Sequence, residues 1–170
     1  MKTLTAVRLR TVLDYDLDTG LFKWRISTSN RALAGSVAGR SNGNGYRRIM
    51  IDHGTYYAHR LAWFYVYGEW PVDELDHADG NRSNNRILNL RPATHAENGQ
   101  NQPLRCSNSS GKHCVSWHKH AFKWCAYIWV SGKKKHLGLF ESIDDASAAY
   151  LKAKAMHHQF QPIPRDLIGA

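Results

Sequence analysis

Carboxylates are scarce in this chain and unevenly spread: 14 Asp and Glu stand against 23 Lys and Arg, and none lies between Glu97 and Glu141. The resulting formal charge of +9, with a pI near 9.6 and ten histidines in reserve, gives a long-range field that favours a polyanion. DNA, RNA and anionic membrane surfaces are the partner classes this leaves. Long apolar runs are missing too: nothing approaches the roughly 18 residues of a membrane span. The N-terminal MKTLTAVRLRTVL carries arginines inside its short apolar pattern. The expectation is a soluble, cytoplasmic protein with no membrane partner. Cysteine is sparse as well. Cys106, Cys114 and Cys125 form no CxxC pair, and their odd number argues against a closed disulfide framework. They read as reduced thiols. His113, His118 and His120 lie close by, but the spacings do not match paired zinc ligands, so ordinary side chains are the favoured reading.

What is present is organised in two parts. A chain of 170 residues suffices for one domain or for two of about 60 to 100 residues each. Residues 4–14 predict a short helix. YDLDTGLFKWRI predicts a hairpin turning at Asp18-Thr19-Gly20, where glycine tolerates positive φ. The glycine-rich stretch 34–45 lacks the Gly-Lys-Ser/Thr of a nucleotide site and precedes a strand, so it reads as a loop. YRRIMIDHGTYYA predicts a second hairpin about His53-Gly54, with Arg47 and Ile49 on one face and Tyr46, Arg48 and Met50 on the other. His59 to Tyr67 then turns helical, with Leu61, Phe64 and Tyr65 at helical spacing and Gly68 and Pro71 ending the run. GQNQPLRCSNSSG, residues 99–111, is polar with no hydrophobic period and reads as a linker. Beyond it lie three strands rich in Trp, Val, Ile and Tyr, a turn at Ser131-Gly132, and a helix from Ile143 to about Met156 with Ala146, Ala149, Tyr150 and Ala153 as its apolar stripe.

One stretch carries chemistry. LDHADGNRSNNRILNLRPATHAENGQN, residues 75–101, places Asp76 beside His77, Asn89 thirteen positions after Asp76, and Asn98 nine further on. Phosphodiester hydrolysis needs an oxygen-ligated divalent cation at the phosphate and a neutral imidazole to take a proton from the attacking water. Asp76, Asn98 and His77 are residue types that supply those parts.

The motif DH-x2-GN-x3-N-x3-NLR-x5-EN resembles the HNH nuclease family, in the branch found in phage and intron-encoded homing endonucleases. The segment GYRRIMIDHGTYYAHRLAWFYVYGEWP also looks like that branch, so the resemblance covers roughly Tyr15 to Asn101. It implies a small ββα-metal unit at about residues 73–101: strands near 75–78 and 90–94, then a helix at 95–101. It further implies that Asp76 and Asn98 ligate one Mg2+ or Mn2+, that His77 is the general base, and that Asn89 braces the loop holding the His77 ring. Two protein oxygens leave most of an octahedral cation open to water and phosphate, and carboxamide ligation implies modest affinity. Neighbouring strand residues face opposite sides, so Asp76 and His77 reach one phosphate only if the chain bends at that pair, a bend the following Gly80-Asn81 favours. Asn81, Asn84 and Asn85 read as turn residues. Where the branch most often has Asp-Asn, this chain has Asn84-Asn85, a change expected to touch none of the assigned roles. His59, at a helix start, reads as structural.

The second part interleaves Arg105, Lys112, Lys119, Lys123, Lys133, Lys134 and Lys135 with Trp117, Trp124, Tyr127 and Trp129, a pattern that suits a sheet laid on nucleic acid. NSSGKHCVSWHK, KWCAYIWVSGKKKHLGLF and DDASAAYLKAKAMHH resemble the AP2 DNA-binding domain, a three-stranded antiparallel sheet backed by a helix. In that family the sheet enters the major groove. The resemblance places His118, His120, Lys123, Tyr127, Trp129, Lys134 and His136 toward DNA, and Val115, Ala126, Ile128 and Leu137 toward the helix.

The sequence therefore predicts an α+β protein: an HNH nuclease domain at 1–101, a linker at 102–111, an AP2-like domain at 112–160 and a tail at 161–170. Its expected function is a metal-dependent, site-selective DNA endonuclease of the homing type acting on double-stranded DNA and nicking one strand as a monomer. No obligate protein partner is evident, and phage encoding in a bacterial host is one setting. The alternative is a DNA-binding regulator that keeps the fold without cleaving. An RNA-binding protein rests on charge and aromatics alone.

Overall fold

The computed structural model describes residues 4–101, 104 and 107–158. Arg105, Cys106, the last residues of the AP2-like stretch at 159–160 and the tail at 161–170 lie outside the described residues. The chain is α+β and separates into two compact units, one running through Asn98 and the other beginning at Gly99.

In the first unit, helix α1 (Ala6–Val12) starts at Thr5, whose hydroxyl accepts from the Arg8 N–H at 3.2 Å. Such a cap satisfies a donor that has no partner within the helix. The helix is shorter than the sequence predicts. At Leu13 the backbone becomes extended and enters strand β1 (Leu13–Tyr15), which pairs antiparallel with β2 (Phe22–Trp24). Strands β3 (Arg40–Ser41), β4 (Arg47–Ile51) and β5 (Gly54–Tyr57) form an antiparallel sheet. Ile49 and Ile51 turn inward while Met50 is exposed. The hairpin between β4 and β5 turns on Asp52 and His53, both at positive φ (47° and 65°). The two left-handed residues therefore lie one position earlier than His53-Gly54. Two positive φ values in sequence give the twist a tight hairpin requires, and the Asp52 carboxylate is further held by Arg8 at 2.8 Å.

Helix α2 (Ala58–Tyr67) follows directly and ends at Gly68, whose left-handed backbone returns its N–H to Phe64 O at 3.0 Å, a glycine stop. Its buried face, Ala58, His59, Leu61, Ala62 and Phe64, packs with Leu9, Val12, Leu13, Phe22, Ile49 and Leu90 in the main core. Arg60 reaches out from this helix to Pro71 O (3.2 Å) and Asp73 O (3.4 Å). Those bonds fix the approach to strand β6 (Glu74–His77), which pairs antiparallel with β7 (Leu90–Ala93). A 3-10 turn at Ile87–Asn89 precedes β7, and the short helix α3 (His95–Gln100) follows it.

The second unit is a sheet of β8 (Val115–His118), β9 (Lys123–Val130) and β10 (Lys133–Phe140), in the order β10-β9-β8, with helix α4 (Ile143–His157) packed on it. Ser142 caps α4, accepting from the Asp144 N–H at 3.1 Å. Val115, Ala126 and Ala146 form one buried cluster, and Ile128, Tyr150 and Ala153 another, with Leu137 against both. Leu137 and Phe140 are three apart, so a regular strand would put them on opposite faces. A bulge between His136 and Gly138 lets both face the helix. Within the stretch read as a linker, Asn108 and Ser110 fold residues 108–112 into a turn: Asn108 Nδ2 donates to Lys112 O at 3.0 Å and Ser110 Oγ to Val115 O at 2.7 Å. Short polar side chains here replace backbone pairing.

Candidate active site and nucleic-acid interface

The candidate site forms where β6, the loop 78–86 and α3 meet. His77 closes β6 opposite Leu90, and the next N–H, Ala78, donates to Asn89 O at 2.9 Å. Gly80 (φ 69°) then turns the chain, its N–H donating to His77 O at 2.7 Å. The loop that follows is held from inside by Asn89, which is 0% exposed. Its Oδ1 accepts from the Asp79 N–H at 3.0 Å, and its Nδ2 donates to Asp79 Oδ1 at 3.0 Å and to Asn84 O at 2.8 Å. Asn84 in turn donates to Asp79 Oδ2 at 2.8 Å.

The His77 ring itself is held by Asn85. Asn85 Nδ2 donates to Ser83 O at 3.3 Å, which leaves Oδ1 facing His77 Nε2 at 3.2 Å. A carbonyl oxygen only accepts, so the ring carries its proton on Nε2 and its basic lone pair on Nδ1. Asn85 is fixed from behind by the N-terminal hairpin. Tyr15 OH donates to Asn85 O at 2.7 Å, and the turn at Gly20 lies so close that a Cβ there would stand 2.4 Å from Arg86 N. Asn84 and Asn85 thus do more than turn the chain, the role the sequence predicts for them: the Asn84 amide closes the loop onto Asp79, and the Asn85 carbonyl orients the His77 ring. Asn81 does serve the turn, accepting from the Ser83 N–H at 3.2 Å. The signal that could have found Asn85 is its place eight residues after the histidine, on the return leg of the same loop.

Rings wall the other side of His77: His59 at 5.1 Å and Tyr46 at 5.9 Å between centroids. Burial lowers the pKa of both histidines, that of His59 to about 3. A charged ring would lose its water shell there. His59 thus starts helix α2 and also lines the pocket of the candidate base, and its Nδ1 is buried with no hydrogen-bond partner among the described residues. Arg82 lies over Tyr46 at 5.0 Å and Arg48 over Tyr57 at 4.7 Å, so guanidinium charge borders this pocket.

Asp76 points to the opposite strand face. Its cross-strand partner is Arg91, which binds Asp76 Oδ2 through Nε (2.9 Å) and Nη2 (2.8 Å). Asn98, on α3, donates through Nδ2 to Glu74 Oε2 at 2.6 Å, and His95 Nδ1 lies 2.9 Å from Glu74 Oε1. These two contacts hold the Glu74 carboxyl below its usual range, Asn98 foremost. Among the described residues no group of three or more His, Cys, Asp or Glu side chains is placed to hold a metal. A carboxylate and a carboxamide oxygen are nonetheless a chemically suitable pair for a hard cation.

In the second unit, cross-strand register pairs Trp129 with Lys134, Tyr127 with His136 and Lys123 with His118. These six side chains share the sheet face away from α4. His120 lies in the turn beyond β8, its ring 6.3 Å from that of His118. Lys134 Nζ sits 3.9 Å over the Tyr127 ring, a cation–π contact. Lys123 is paired with Glu141 at 2.8 Å on the surface.

Residues 56–100 match the HNH endonuclease family, a span that contains α2, β6, the loop, β7 and α3. The chain is also 31% identical over 103 residues to Protein 3.8 of Escherichia phage T7, covering 60% of this chain and 85% of that protein. It belongs to the family of that phage protein and carries an HNH endonuclease domain, which implies a nucleic acid substrate. No solved structure matches the chain. No helix among the described residues is long and apolar enough to cross a membrane.

Proposed function

We propose that the protein is a metal-dependent DNA endonuclease in which His77 is the general base, Asp76 and Asn98 hold one Mg2+ or Mn2+, and Asn89 secures the loop around the base. The observation that carries this reading is the fixed tautomer of His77. A buried, neutral imidazole whose Nε2–H is committed to Asn85 Oδ1 presents Nδ1 as a base at neutral pH. A bound cation would polarise the phosphate and stabilise charge on the leaving oxygen. His77 takes a proton from water as the water oxygen bonds to phosphorus; the bond from phosphorus to the leaving oxygen breaks, and that oxygen is protonated from solvent. Arg48 and Arg82, bordering the pocket, suit a phosphate backbone.

The second unit is read as an AP2-like anchor on duplex DNA, spanning residues 112–160 after the linker, with His118, His120, Lys123, Tyr127, Trp129, Lys134 and His136 toward the groove. The homing type and one-strand nicking complete the proposal. A DNA-binding regulator without cleavage is the second reading, favoured by one observation: both candidate ligands already have protein partners, Arg91 and Glu74. Supercoiled plasmid with Mg2+ or Mn2+ separates the two. Relaxation by the native chain, abolished by EDTA and by His77→Ala, supports the nuclease. Tight binding with no relaxation by either protein supports the regulator.

A further inference from the structure

Glu74 has no assigned part in cleavage, yet its carboxylate engages two side chains on one face of α3, at positions i and i+3. We propose that Glu74 is a positioning residue for the cation site, holding the Asn98 carboxamide with its amino group turned inward so that Oδ1 is the atom offered to a divalent cation. The inference rests on the reading of Asn98 as a ligand.

An asparagine offers either oxygen or nitrogen according to the rotation of its amide, and only the oxygen binds a cation. A carboxylate has no donor of its own when ionised, so only the Asn98 amino group can face it. The bond at 2.6 Å therefore selects the rotamer. Packing does not do so, because α3 runs for only 6 residues and buries none of them. Its start is fixed by a reciprocal pair: Thr94 N–H and Oγ1 donate to Glu97 Oε2 at 2.8 and 2.7 Å, and the Glu97 N–H donates to Thr94 Oγ1 at 3.3 Å, a capping box. Glu74 then sets the face. Glu74 and Asp76 are two apart on β6, so they leave the same side of the strand about 7 Å apart. The carboxamide held at Glu74 is thereby kept on the Asp76 side of the sheet. Partners that orient a metal ligand typically change affinity 10- to 100-fold when removed.

Mn2+ binding to the full-length chain, followed by the electron paramagnetic resonance of free Mn2+, tests the proposal without relying on cleavage. Glu74→Ala is expected to weaken binding about 10- to 100-fold. Glu74→Gln, whose carbonyl still accepts from Asn98, is expected to stay within about threefold of the native chain. In the metal-free protein the Asn98 side-chain amide protons should exchange slowly with solvent, and Glu74→Ala should abolish that protection. Native Mn2+ affinity in Glu74→Ala alongside weak binding in Asn98→Ala overturns the positioning role and leaves the ligand assignment standing. Native affinity in Asn98→Ala removes the ligand assignment, and the inference with it. Equal losses in Glu74→Gln and Glu74→Ala overturn it in favour of direct ligation by the charge.

Discussion

Asn85 is the residue on which the state of the candidate base depends. Its side chain is 1% exposed, and removing it leaves the buried His77 Nε2–H without its acceptor. Leaving a buried donor unsatisfied costs about 1–3 kcal/mol, and losing the tautomer removes much of what a positioned base contributes. Asn85→Ala is therefore expected to lower kcat by about 10²-fold with little change in DNA affinity, read by single-turnover cleavage and by binding in the same samples. His59 gives a separate signature. The unfolded chain protonates this histidine near pH 6.5 and the folded chain only near pH 3, so between those values the unfolded state binds more protons. Stability must then fall as pH falls from about 6.5, by up to about 1.4 kcal/mol per unit, and His77 acts in the same direction. Thermal melts from pH 7.5 to 4.5 should show this slope, and His59→Phe should flatten it.

At the scale of elements, the N-terminal hairpin meets the loop of the candidate site through backbone contact. Gly20 has φ 71° and no room for a Cβ against Asn85 and Arg86. Gly20→Ala is expected to cost about 1–3 kcal/mol and to slow cleavage by displacing Asn85; normal rates in a destabilised variant would contradict that link. Much at this scale was legible in the sequence. The hairpins and the helix at 58–67 follow from period, turn residues and caps, while the strand, strand and short helix around Asp76 to Asn98 are implied by the family resemblance. Asn85 was not legible as a ring holder, because an asparagine in a polar loop looks the same whether it serves a turn or a neighbour. Nor was the Asp52-His53 turn, since neither residue advertises positive φ as glycine does. The Glu74 contact joins residues 24 apart in sequence, and no local pattern encodes it.

Across the whole molecule, two units divide the chain, each with its own core, and basic charge runs through both. The second unit's outer face carries Trp129, 53% exposed, beside Lys134. If that face holds duplex DNA, Lys134→Ala should weaken binding similarly across sequences and lower the slope of log K against log salt by about 1. Trp129→Ala should weaken binding with less change in slope. Cleavage at saturating DNA should survive both, because neither residue belongs to the HNH domain at 56–100.

The most direct test of the account is the rate of a single cleavage turnover at saturating duplex DNA and fixed Mn2+, comparing native protein with His77→Ala. Equal DNA binding with a rate lower by about 10²- to 10⁴-fold in the variant is the predicted result. Equal rates for the two proteins would contradict the assignment of His77 as the base that activates water.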